Sequence, residues 1–135
     1  MNTSVLTADL VVLIHAAYVA FVIVGMAMIL VGAARGWRWV RNFWFRTAHL
    51  ASIVFVFAEA VVGISCPLTV MENMLRVQGG EGAYPGDFVP YWTHRLIFYD
   101  WPAGVFFALY SGFAIAVAAA FVAIPPVFPW YARKA

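Results

Sequence analysis

Three stretches of the chain, residues 8–34, 43–65 and 102–124, are almost continuously apolar, and most charged positions gather between them. A helix crossing the hydrocarbon core of a bilayer needs about 20 such residues, so each stretch predicts one membrane-spanning helix. The first run lacks a basic segment before it and is too long for a signal-peptide core, which predicts a retained helix. Span two leaves its helix at Cys66-Pro67, since proline suits a first turn and not a helix interior. Thr69-Val70-Met71-Glu72 then matches a capping box and predicts a short helix from Val70 to Gly79-Gly80. Val70, Met71, Met74 and Leu75 share one of its faces, opposite Glu72, Asn73 and Arg76, so it is expected to lie in the interface plane. Residues 79–90 read as a loop, and residues 91–100 as an aromatic interfacial helix. A fourth span would have to insert that segment against His94, Arg95 and Asp100. The expected fold is all-α: a single-domain integral membrane bundle of three transmembrane helices plus a short interfacial amphipathic helix.

Composition agrees with the pattern. Of 135 residues, 65% are hydrophobic and 10% charged, with mean hydropathy +0.89, whereas a soluble domain is nearer half apolar and a quarter charged. The net charge of +2 matters less than its distribution. Arg35, Arg38, Arg41 and Arg46 sit among Trp37, Trp39 and Trp44, and an aromatic tail ends in Arg133 and Lys134. The other end collects Asp9, Glu72, Glu81, Asp87 and Asp100, with Arg76 and Arg95. By the positive-inside rule the N-terminus lies outside, the C-terminus in the cytoplasm, and residues 66–100 face outward. Arginines held between two membrane helices argue against a nucleic-acid partner. One cysteine, Cys66, excludes an intrachain disulfide and paired-thiol exchange.

Helical spacing sorts the remaining polar groups into stripes. Span one gives His15, Tyr18, Val22, Gly25, Ile29 and Gly32. Span two gives His49, Ser52, Val56, Glu59, Gly63 and Cys66, and span three gives Gly104, Ala108, Ser111, Ala114 and Ala118. Gly25, Gly32, Gly63, Gly104, Ala108 and Ser111 are the expected close-packing positions. His15 and His49 lie on the order of 20 Å apart in depth on antiparallel helices, so they cannot share one haem. His49 is expected at the interface, near lipid headgroups. Glu59 lies near the depth of His15, and Cys66 and His94 reach the same end.

Two uses of this cluster follow. His15, Glu59 and Tyr18 could form a proton relay or an interhelical polar pair. His15, Glu59, Cys66 and His94 carry donor types that suit copper or zinc, and a haem would also use such a histidine, although the local spacing of strong metal motifs is absent. The run Ala8-Asp9-Leu10 with His15, the motif Cys66-Pro67-Leu68-Thr69 with Glu72, and Tyr84 with Phe88 resemble a family of small bacterial membrane proteins of unknown function, over roughly residues 5–125. That resemblance implies a bacterial inner-membrane location and supplies no reaction. The functional expectation is an accessory or assembly subunit of a larger membrane complex, in contact with lipid and with a partner or a second copy. The alternative is a metal- or cofactor-binding redox or proton-relay protein.

Overall fold

The structure is a computed structural model that describes residues 2–128; the expected basic tail with Arg133 and Lys134 lies outside the described residues. Five α-helices follow in order: α1 (Thr3–Arg35), α2 (Phe43–Val62), α3 (Pro67–Gln78), α4 (Phe88–Ile97) and α5 (Ala103–Ala123), with a 3-10 turn at Arg38–Arg41 between the first two. Helices α1, α2 and α5 are long and apolar enough to cross a membrane. At 1.5 Å per residue, the 20 residues of α2 give about 30 Å, one hydrocarbon thickness, while the 33 residues of α1 give about 50 Å.

The helix ends follow local chemistry. Asn2 caps α1 by accepting from the Ser4 amide, and Asn42 caps α2 by accepting from the Phe45 amide. Gly63 takes φ 77° immediately after α2, a left-handed conformation that glycine adopts without a Cβ penalty. It terminates span two three residues before the expected Cys66 boundary, and its Cβ position has no neighbour. Gly63 therefore stops a helix and packs against nothing. Helix α3 starts at Pro67 with Cys66 as its N-cap, three residues earlier than the capping box predicts. Proline at the first position loses no helical hydrogen bond, so the earlier start is available, and Thr69 lies inside the helix.

Helices α1 and α2 run antiparallel. The Tyr18 hydroxyl donates to Ser52 O at 2.7 Å, and His49 Nε2–H donates to Val22 O at 2.7 Å. His49 is fully buried, a correction to its expected interfacial place. The reason is Gly25: a Cβ there would come within 2.7 Å of His49 Cδ2, so only a glycine leaves room for the ring. Gly32 likewise admits Val40, whose side chain occupies the space a Cβ would need. Helix α5 returns antiparallel to α2, and the three spans meet at Val22, Ile53 and Val117. Arg46, expected among the interfacial arginines, is buried instead and donates to Ile124 O at 2.6 Å and Ala120 O at 2.9 Å. It thereby satisfies the Ile124 carbonyl just past the end of α5 and gives a second donor to the Ala120 carbonyl, which already accepts from the Ile124 N–H.

Helix α5 turns Phe106, Val117 and Ala120 inward. Gly104 and Ala108 consequently lie on its exposed side, and Ser111 spends its hydroxyl on Phe107 O of its own helix at 2.7 Å. The large residues make the α2–α5 contact, and the small-residue stripe is left largely outside it. Leu13, Val54, Phe55, Val61, Leu109, Ile115 and Val122 project outward, as suits a lipid environment.

The molecule has a basic end, with the residue 36–42 connection, and an acidic end, where α3 and α4 join the start of α1. Helix α3 packs antiparallel along the N-terminal third of α1: Asn2 Nδ2 donates to Gly79 O at 2.8 Å, and Arg76 reaches Asp9 at 3.2 Å. Its polar side is the packed side. Thr69 and Glu72 are buried, while Val70, Met71, Met74 and Val77 are exposed.

Candidate functional site

The buried polar groups at the acidic end fall into two neighbouring sets. The first is a fully bonded clasp. Glu72, with its side chain 1% exposed, accepts from Arg76 Nε at 2.9 Å and from the Tyr84 hydroxyl at 2.7 Å. Arg76 continues to Glu81 at 2.9 Å and Asp9 at 3.2 Å, and the Asn73 side chain donates to the Tyr84 carbonyl and accepts from the Tyr84 N–H. The bonds on Glu72 answer the cost of burying its charge, which is large unless the charge is paired and hydrogen-bonded. Burial tends to strip Arg76 of its charge, but its hydrogen bonds to Glu72 and Glu81 prevail and hold the guanidinium above its ordinary value. Burial, then the bond to Glu72, pushes the Tyr84 phenol up. Sequence spacing shows only the Glu72–Arg76 pair at i, i+4. Its closure by Tyr84, twelve residues away, depends on how the loop folds back.

The second set is not bonded to itself. His15 is 5% exposed, and its ring stacks on Phe88 with centroids 4.0 Å apart and planes at 20°. Glu59 is 8% exposed on the last turn of α2. Asp87 occupies the N-cap position of α4, yet its side chain makes no capping hydrogen bond. Capping is the usual occupation of aspartate at such a position. Here the carboxylate lies close enough for its charge to act on both His15 and Glu59. His15 Nδ1, Glu59 Oε1 and Asp87 Oδ1 are all buried and without a hydrogen-bond partner. Such atoms are uncommon in folded proteins, and where they occur together they mark a place that handles protons, water or ions.

The expected constellation is thus partly gathered. His15 and Glu59 come to one end of the interior, but no hydrogen bond joins them. Asp87, in the loop expected over residues 79–90, acts by its charge on both. Its sequence signal is faint, because the aromatic helix expected over residues 91–100 starts at Phe88 instead and only that earlier start puts Asp87 at a helix end. Tyr18 is already committed to the Ser52 carbonyl, which makes it a tie between spans. Cys66 lies within electrostatic reach of Glu59 and Asp87, and burial raises its thiol, which disfavours a thiolate. His94 stays apart, more than half exposed and paired with Asp100 at 2.8 Å. Among the described residues, no three His, Cys, Asp or Glu side chains converge as a metal-ion site. His15, Glu59 and Asp87 thus carry acid–base groups at one end of the molecule without gathering closely enough to enclose a cation.

Comparison with curated proteins and with solved structures gives no significant match. A sequence-family profile does match, from the start of α1 to the proline pair after α5, and it includes every residue of both polar sets. The chain belongs to the family described as Protein of Unknown function (DUF2784), whose profile matches residues 5–126.

Proposed function

We propose that this membrane protein is a proton-relay component, with His15, Glu59 and Asp87 as the groups that accept and pass the proton. One observation carries the reading: titratable side chains of α1 and α2 and of the residue before α4 each keep a buried, unpartnered polar atom at the acidic end, one of them a capping residue that does not cap. Ionisable groups inside a membrane protein mark functional sites by default. The excess of arginine at the other end supports a bacterial inner-membrane placement with the acidic end outward and the 36–42 connection in the cytoplasm. Infrared difference spectra between acid and alkaline pH test the relay. Wild type should show a carboxylic-acid band that is lost or shifted in Glu59→Gln and in Asp87→Asn. Identical spectra in all three proteins overturn it.

A second reading, an accessory or assembly subunit that docks on another membrane chain or on its own copy, is favoured by the exposed small side of α5. Gly104 and Gly112 have open space where a Cβ would stand, and small residues let a second helix approach closely. Gly112→Leu should then reduce co-purification of the partner chain while leaving the helix content unchanged. Unchanged assembly would reject this surface.

A further inference from the structure

We infer that the basic end carries a built site for the phosphate of an anionic lipid headgroup, formed by Arg38, Arg41, Trp39 and Trp44. The site starts from a backbone arrangement. After α5 the chain turns back so that Val127 N–H donates to Arg41 O at 2.7 Å, Asn42 and Val127 form a parallel bridge, and Arg41 Nε donates to Pro125 O at 3.0 Å. These bonds fix one wall of a half-open groove of about 610 Å³, whose lining includes Arg38, Arg41, Trp39 and Trp44. Among the described residues Arg41 donates from its side chain only through Nε, which turns its two terminal nitrogens toward a ligand. Arg38 is exposed and makes no hydrogen bond or ion pair among the described residues.

Charge then selects the ligand. The sequence has no Asp or Glu between Asp9 and Glu59, and none after Asp100. The arginines of this end therefore meet no Asp or Glu among the described residues, in contrast to Arg76 at the other end, which meets three. A guanidinium presents a planar fork that matches phosphate oxygens. Position selects the source of that phosphate. The groove lies where α1 ends and α2 begins, the level at which two apolar spans enter the bilayer, and Trp39 and Trp44 are 49% and 70% exposed beside it. Exposed tryptophan next to arginine at a span end sits at headgroup depth. A free phosphate would use the guanidinium groups and gain nothing from the rings, whereas a glycerophosphate with its acyl chains uses both.

The test uses the purified full chain in mild detergent, titrated with phosphatidylglycerol or phosphatidylcholine and followed by native mass spectrometry. Phosphatidylglycerol should be retained in preference to phosphatidylcholine, and Arg38→Gln should weaken its retention about fivefold, the effect of one interfacial basic residue. Arg35→Gln, which removes a charge from the same end outside the groove, should leave retention unchanged. Arg38→Gln is the primary variant because its side chain ties nothing together; Arg41→Gln is added with circular dichroism to show that its helices persist. Equal retention of the two lipids, or equal losses in Arg35→Gln and Arg38→Gln, would overturn the site in favour of diffuse charge. Displacement of the lipid by millimolar inorganic phosphate would overturn the lipid assignment.

Discussion

Cys66 shows how a single side chain can be read for its chemistry. It closes the break between α2 and α3, half-buried, and burial raises its thiol above the ordinary value. A raised thiol holds less thiolate at neutral pH, and the thiolate is the nucleophile. Alkylation of the native protein at pH 7 should therefore be slow and should accelerate as the pH rises, while detergent-denatured chain reacts at once. Because this is the sole cysteine, the mass increase reports it without ambiguity, and rapid labelling of the folded protein at pH 7 would refute its burial. Tyr84 gives a second residue-scale test. Its phenol is raised by burial and by the bond to Glu72. A group whose value is raised on folding contributes stability that is complete below its unfolded value, about 10 for tyrosine, and is lost as pH climbs through the folded value. Wild type minus Tyr84→Phe should show tyrosinate absorbance appearing only above pH 10, with no difference near neutrality.

At the level of elements, two contacts decide how helices fit. Gly25 on α1 receives the His49 ring of α2, and His49 is pinned by its bond to Val22 O. The ring has no free direction in which to retreat, so Gly25→Ala should cost about 1–3 kcal/mol, readable as a lowered Tm in detergent. Gly104→Ala on α5 meets open space and should leave the Tm within a degree or two. The clasp of α3 gives the second contrast. Removing Arg76 leaves Glu72 buried without its cation, for which about 3–5 kcal/mol is the usual cost. Arg76→Met should thus be far more damaging than Asp9→Asn, whose carboxylate is 58% exposed and worth at most about 1 kcal/mol. The double variant Glu72→Gln with Arg76→Met should recover part of the loss, since it removes the stranded charge.

For the whole molecule, three spans place the acidic and basic ends on opposite sides of the membrane. In a Cys66→Ala background, Ala83→Cys and Arg38→Cys should label from opposite faces of sealed vesicles with an impermeant maleimide. Labelling of both from one face would contradict the topology. The arrangement also divides roles between the ends. At the basic end arginines either cap α5 internally, as Arg46 does, or remain unneutralised at the surface, as Arg38 does. At the acidic end Glu72 is drawn in against α1 with Arg76 over it, while Asp9, Glu81 and Asp100 stay exposed.

The all-α class, the three spans and the separation of charge were legible in the sequence, because a bilayer admits few structures and long apolar runs can only become helices within it. Gly25 and Gly32 were legible for the same reason: a seam at steps of three and four is a local property. What the tertiary structure decided was pairing. His15 and Glu59 share a depth, but the charge that acts on both comes from Asp87, in the loop before α4. Glu72 announces Arg76 through i, i+4 spacing and says nothing of Tyr84. The face of α3 was open for a related reason: a short amphipathic helix has the same pattern on a membrane surface and against α1. Only the partners offered by Asp9, Glu81 and Tyr84 turned its polar side inward. Periodicity specifies which residues share a face, and the chain must fold back before that face has anything to meet.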